Sequence, residues 1–147
     1  MSHHVVVDTG PLVAAANRRD AAHELAAALI VALGRNLLIP SPVLVETDHL
    51  LRARVGERSA RLFLRSVAAG AHGVSYLTPD LLRDAVRIDL HFAALDLGFT
   101  DASVMAVAER EGVPILTFDF EDFRAAPSQR GPWELVVDER RYHFATQ

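Results

Sequence analysis

His4-Val5-Val6-Val7-Asp8-Thr9-Gly10-Pro11 is the stretch on which the reading of the fold turns. Three consecutive β-branched residues leave no polar face, which is the pattern of a strand buried on both sides, and Thr9-Gly10-Pro11 ends the run and feeds a helix. Such a strand delivers Asp8 at its carboxyl end. Working outward, Asp20 can cap a helix over residues 21–33 that stops at Gly34, and Leu37-Leu38-Ile39 is a brief second strand. Pro42 suits the first turn of a helix running through Glu46 towards Arg54, and Gly56 interrupts it before a helical stretch over 57–69. Residues 73–77 read as a third strand. Thr78-Pro79-Asp80 opens a helix whose apolar positions Leu82, Val86, Leu90 and Ala93 recur at helical spacing and which Gly98 ends. Thr100 caps a helix over 101–111, residues 113–118 form a fourth strand and 133–137 suit a fifth. Strands alternating with helices require crossover connections. The fold class is therefore α/β: one domain over residues 1–147, with a parallel sheet of four to five strands and helices on both faces.

Composition narrows the chemistry. Half of the 147 residues are apolar, enough for one packed core and incompatible with a disordered chain. All fifteen basic residues are Arg, set against nineteen acidic ones, and the net charge of −4 gives no global attraction for nucleic acid. Any such contact rests on a local patch. The absence of Cys excludes disulfides, thiolate nucleophiles and zinc-thiolate sites, and the absence of Lys excludes a P-loop lysine, a Schiff base and a Ser-Lys pair. The longest purely apolar run, residues 25–33, is too short to cross a bilayer, and Met1-Ser2-His3-His4 lacks the basic start of a signal peptide. The expectation is a soluble, cytoplasmic protein with no membrane partner.

In an open parallel sheet, ligands bind at the carboxyl ends of the strands where strand order switches. Asp8 and Asp119 would flank that crevice if the first and fourth strands are neighbours. Asp101 at a helix start and Glu46 on the first turns after the second strand would reach the same rim. Each acid also has an ordinary explanation, since an Asp after a strand is commonly a turn or cap residue and a first helical turn favours an acid. Glu46 differs, because it interrupts Val43-Leu44-Val45-Glu46-Thr47, where an aliphatic residue is expected, and an acid in such a run usually has a partner or a metal. Converging carboxylates repel one another and a cation relieves the strain. Oxygen ligands without Cys or a His set point to Mg2+ or Mn2+ rather than zinc, and such ions bind substrate phosphates, which suits phosphodiester hydrolysis.

Val5-Val6-Val7-Asp8-Thr9-Gly10-Pro11-Leu12-Val13-Ala14, Val43-Leu44-Val45-Glu46, Thr100-Asp101-Ala102-Ser103 and Leu116-Thr117-Phe118-Asp119, in that order, resemble a PIN-domain ribonuclease. Within that family the VapC toxins of bacterial toxin-antitoxin pairs are the most similar subgroup. The resemblance runs from His4 to about Val137. It implies a single PIN-like domain, Mg2+-dependent endoribonuclease activity on an RNA substrate, a homodimer, and inhibition by a small VapB-type antitoxin. By motif, Asp8, Glu46, Asp101 and Asp119 look like the catalytic, metal-holding carboxylates, Thr9 would support them through its hydroxyl, and Asp96 stands where the family often has an acid. Glu121 and Asp122 read as solvated loop acids.

Other features carry weaker signals. Arg58, Arg61 and Arg65 share one helix face, and Arg54 extends the row if Gly56 does not break the axis; such a face suits RNA phosphates or an acidic antitoxin segment, and equally an ordinary solvated surface. Arg18 and Arg19, in the loop after the first helix, are a second candidate for the crevice. Glu46 and His49 form a Glu-x-x-His pair, but a di-iron bundle needs two. The helix over 21–33 has two apolar stripes, Leu25-Ala28-Leu29-Ala32 and Ala26-Ile30-Leu33, and whichever does not face the core would seat a protein partner. Rival readings fare less well. An aspartyl phosphatase wants a second Asp where Gly10 stands, a ribonuclease H-like fold begins with a strand meander, and a phosphate-accepting receiver module needs a pocket Lys. A catalytically silent PIN-like module that binds RNA or protein is opposed by the retention of all four acids.

Overall fold

β1 (Val5–Val7) is buried at all three positions although successive side chains point to opposite faces of a sheet, so both faces are covered. The structure, a computed structural model, describes residues 3–147. β1 pairs in parallel with β2 (Leu37–Pro40) on one side and with β4 (Ile115–Leu116) on the other, and β3 (Gly73–Ser75) pairs with β2. The order is thus β3-β2-β1-β4. The chain builds outward through β2 and β3 and returns with β4 beyond β1, which places the switch of strand order between β1 and β4. Val7 lies in register with Leu116, and the Asp8 N–H donates to the Leu116 carbonyl at 2.9 Å. Asp8 and the segment after β4 therefore leave the sheet side by side.

Among the described residues eight α-helices connect and flank these strands: α1 (Thr9–Ala16), α2 (His23–Leu33), α3 (Ser41–Arg54), α4 (Glu57–Ala68), α5 (Pro79–His91), α6 (Phe99–Glu111), α7 (Phe120–Ala125) and α8 (Glu139–Ala145). α6 is the innermost. Seven consecutive residues, from Ala102 to Ala108, are buried in it, because it packs on β1 and β2 and against α3 and α5 at once. Its alanines let those neighbours approach closely.

Several expectations are corrected. The fifth strand at 133–137 is a single parallel bridge between Ile115 and Leu135, because β4 offers only two residues to pair with. α2 begins at His23, since Asp20 spends its carboxylate on the Ala22 N–H in a turn ahead of the helix. α6 starts at Phe99 rather than behind Thr100; Gly98 adopts φ +88°, a backbone that residues with a Cβ resist, and turns the chain into the helix. α5 stops at His91 and a 3-10 turn (Ala93–Leu95) follows. Its inner row is Leu81, Ala85 and Ile88, whereas Leu82, Val86 and Leu90 face solvent. Both rows have helical spacing; the small Ala85 on the inner row lets α6 come close, and ion pairs Asp84–Arg110 and Arg87–Glu109 join the two helices. On α2, Ala26 and Ile30 face the core with Leu33 half-buried, while Ala28, Val31 and Ala32 are exposed. The stripe Ala26-Ile30-Leu33 is thus the inner one, and of the other stripe Leu25 and Leu29 are half-buried against the core as well, which leaves only its alanines exposed.

The α5 assignment is open to a direct check. Leu81→Ala is expected to lower the unfolding free energy by about 2–5 kcal/mol, the usual range for a buried Leu, and Leu82→Ala by less than about 1 kcal/mol, measured by urea unfolding.

Candidate active site

Asp8 stands where β1 passes into α1, and both of its oxygens are engaged. Oδ1 accepts the Thr9 N–H at 2.8 Å and Oδ2 accepts the Thr117 hydroxyl at 2.9 Å, leaving the residue buried. The fully buried Thr117 hydroxyl in turn accepts the Asp119 N–H at 3.0 Å. One hydroxyl thereby fixes the carboxyl ends of β1 and β4 together. Asp119 caps α7 by accepting the Asp122 N–H at 3.2 Å, Glu46 rides on the second turn of α3, and Asp101 lies in the first turn of α6. Asp8, Glu46, Asp101, Asp119 and Thr9 all line one cleft of about 610 Å³. The ordinary readings of Asp8 and Asp119 as cap residues hold as well, because capping is what aims them.

Two further residues belong to this arrangement, and the sequence reading had given neither a role. Asp122, read as a solvated loop acid, is turned back by the first turn of α7, so that one carboxylate oxygen each of Asp101, Asp119 and Asp122 lies within 4.8 Å of the others. Its signal was the Asp119-x-x-Asp122 spacing, which α7 converts into proximity. Thr117 had only the weak signal of a lone hydroxyl in an apolar strand end. Asp96 is exposed, in a left-handed conformation at φ +50°, and is not among the residues lining the cleft. Arg54, Arg58, Arg61 and Arg65 are exposed and none lines it; Gly56, at φ +139°, breaks the axis between α3 and α4, so Arg54 does not continue the row, and Arg61 pairs with Glu57 at 3.4 Å. Arg18 and Arg19 follow the carboxyl end of α1, whereas the cleft lies at its amino end.

No Arg or His lines the cleft among the described residues, so the acids are left to repel one another. Burial pushes the Asp101 carboxyl up to about 8 from the ordinary 3.8, with the charges of Asp8, Asp119, Asp122 and Glu46 adding to the shift. Asp8 is pushed up to about 6, again mainly by burial; the hydrogen bonds from Thr9 and Thr117 oppose the shift, and Asp119 and Glu46 add to it. Asp122 is raised by burial, by its hydrogen bond to Asp119 and by the charges of Asp119 and Glu121. The Thr9 hydroxyl is buried beside Asp8 without a hydrogen-bond partner. Uncompensated carboxylates and an orphaned hydroxyl form an oxygen-donor set that fits a hard divalent cation. A larger cavity of about 870 Å³ beside α7 and α8 offers no such set, since Asp138 there caps α8 and Glu139 pairs with Arg124 and His143. Chemistry rather than volume selects the site.

Comparison with known proteins bears on the family and the fold. The family profile described as "PIN domain" matches residues 5–128. Ribonuclease VapC26 of Mycobacterium tuberculosis (strain ATCC 25618 / H37Rv) is 27% identical over 122 residues, which span 82% of this chain and 90% of that protein. Among solved structures, VapC20 of Mycobacterium tuberculosis, titled a sarcin-ricin loop cleaving toxin, aligns with a TM-score of 0.75 and 26% identity over 87% of this chain and 99% of its own. The DNA-bound VapBC of Salmonella typhimurium aligns with a TM-score of 0.66 over 89% of this chain and 96% of that one; at 14% identity the likeness is one of fold.

The raised carboxyls set a pH dependence. Between the ordinary 3.8 and about 8 the folded protein holds protons that the unfolded chain has released, so stability falls as pH rises through that window. Chelator-treated protein is expected to melt at least roughly 3 °C higher at pH 5.5 than at pH 8.5, and millimolar Mg2+ or Mn2+ at pH 8.5 to restore the loss by binding only the folded state. Thr117→Val keeps the shape but removes a hydrogen bond to a carboxylate. It is expected to cost about 1–3 kcal/mol in chemical denaturation and to raise the metal concentration needed for stabilisation.

Proposed function

The chain belongs to the PIN domain family, and from that premise we propose that it is a VapC-type endoribonuclease, the toxin of a toxin-antitoxin pair, dependent on Mg2+ with Mn2+ as a substitute. One observation carries the proposal: Asp8, Glu46, Asp101 and Asp119 converge from four separate segments at the β1–β4 switch, in a cleft lined, among the described residues, by no cationic side chain. A phosphodiester is an anion, and a cleft of this sign takes one only through a bridging cation.

Asp8, Glu46, Asp101 and Asp119 would hold the ion, with Asp122 and the Thr9 hydroxyl beside them. When bound, the ion supplies a water of lowered pKa and a counter-charge for the phosphate under attack. The chain's own part is orientation. Asp8 is fixed by its two hydrogen bonds, so its oxygens keep their direction without reorganisation. Asp101 holds a proton up to about pH 8 in the cation-free cleft and must release it from its carboxyl for the set to act as a ligand cage. Ionised, these carboxylates orient and accept hydrogen bonds from the attacking water, and hydrolysis needs no covalent nucleophile from the protein. Leu50, Leu97 and Phe118 give the cleft apolar walls beside its acids.

An RNA-cleaving toxin needs an inhibitor, and a VapB-type antitoxin is the proposed partner. An Arg entering the cleft between Asp8 and Asp119 would pair with carboxylates and displace the ion. The exposed Ala28, Val31 and Ala32 of α2, next to a groove of about 310 Å³ lined by Leu12, Ile30, Leu62 and Phe63, offer the rest of the inhibitor an apolar seat. No helix among the described residues is long and apolar enough to cross a membrane. A homodimer acting on cytoplasmic RNA completes the proposal.

Cleavage of total RNA by the purified chain, titrated with Mg2+, tests this reading. Asp8→Asn, Glu46→Gln, Asp101→Asn and Asp119→Asn are each expected to lower cleavage by more than roughly 100-fold with the circular dichroism spectrum unchanged. Asp122→Asn is expected to raise the Mg2+ concentration for half-maximal cleavage several-fold without abolishing activity. Wild-type protein that binds Mn2+ and RNA yet cleaves neither structured nor single-stranded RNA would make the chain a silent binding module.

A further inference from the structure

Phe99 is the only large apolar side chain among the described residues that both lines the acid cleft and is exposed, at 40%. Its apolar neighbours in the lining turn inward. Leu97 is buried, and Phe118 packs against Tyr142 with ring centroids 4.7 Å apart. No ring stacks on Phe99 among the described residues, and the part of it that is exposed lies in water although apolar surface in a mainly polar cleft gains from being covered.

The backbone that carries it is held. Gly98 turns the chain into α6 at φ +88° and its carbonyl accepts the Ala102 N–H at 3.2 Å, while the Ser103 hydroxyl donates to the Phe99 carbonyl at 2.8 Å. Phe99 and Asp101 thus leave the same locked first turn, one bringing a flat apolar side chain to the cleft and the other a carboxylate. A nucleotide has that dual character: an anionic phosphate covalently tied to a flat ring. We infer that Phe99 is the base-stacking residue of the cleft, and that its ring takes the face of an unpaired nucleobase next to the phosphate held over Asp8, Asp101 and Asp119. In an A-form duplex both faces of each base are occupied by its neighbours, so the ring selects for a splayed, single-stranded segment. This inference rests on the ribonuclease reading above, and it assigns the cleft a second recognition element that the acids alone do not supply.

The test compares binding of a fluorescein-labelled single-stranded RNA 12-mer with binding of its duplex, both in Ca2+, for wild type, Phe99→Ala, Phe99→Leu and Phe99→Trp. Phe99→Ala is expected to weaken single-strand binding by about 5- to 100-fold, the usual loss for one stacking contact, and to leave duplex binding within about twofold. Phe99→Leu restores apolar bulk without a flat face and is expected to remain weak. Phe99→Trp is expected to bind as tightly as wild type and to show indole emission quenched by the single strand, over the background from Trp133 read in wild type. That quenching carries the test if Phe99→Ala fails to fold. Single-strand affinity unchanged in Phe99→Ala, full affinity in Phe99→Leu, or unmoved emission in Phe99→Trp overturns the inference and leaves the ring to a protein partner or to packing. If wild type cleaves and binds RNA in these outcomes, the ribonuclease reading stands; if wild type binds no RNA at all, that reading falls and the base-stacking role falls with it.

Discussion

Carboxylates of one sign, held together in a partly buried cleft, repel each other, and the architecture around the cleft is arranged to tolerate that repulsion. Asp101 responds by retaining a proton up to about pH 8 and Asp8 up to about pH 6. The rest of the chain supplies what the acids cannot supply for themselves, namely a rigid frame and a few oriented hydrogen bonds. β1, buried on both faces, and α6, buried along seven consecutive residues, anchor the frame. Thr117 ties it together, donating to Asp8 and accepting from Asp119 with a single hydroxyl.

Helix placement contributes as well. Asp8 caps α1, Asp119 caps α7, and Asp101 lies in the first turn of α6, so three of the acids sit at amino ends, where unsatisfied N–H groups and the aligned peptide dipoles favour negative charge. This offsets part of the cost of the repulsion, and among the described residues no Arg or His lines the cleft to offset the rest. The free protein is therefore less stable than its core would allow, and the divalent ion proposed for the cleft would recover that deficit on binding.

The order of strands and helices was legible because β1 is apolar at every position and the turns after it carry Gly and Pro. Asp8, Asp101 and Asp119 were legible because each stands at a strand end or a helix start, and Glu46 because it interrupts an aliphatic run. What escaped was anything decided by a neighbour distant in sequence. The apolar rows Leu81-Ala85-Ile88 and Leu82-Val86-Leu90 on α5 have the same periodicity, and only the arrival of α6, with Ala85 small enough to admit it, decides which one is buried. The segment 133–137 reads as a strand by composition, yet it has two residues of β4 to pair with and makes one bridge.

Asp122 and Thr117 mark the same boundary inside the site. By itself the sequence determined the α/β class, the positions of the carboxylates and the absence of any Cys or Lys chemistry, because local pattern and composition are written residue by residue. Tertiary structure alone decided that a carboxylate oxygen of Asp122 comes within 4.8 Å of one on Asp101, that the Thr117 hydroxyl reaches a carboxylate 109 positions away, and that Phe99 is left partly exposed beside the acids. The physical reason is that repulsion, desolvation and hydrogen bonding depend on distance in space, and the short parallel strands β1 and β4 bring together segments that the chain itself holds far apart.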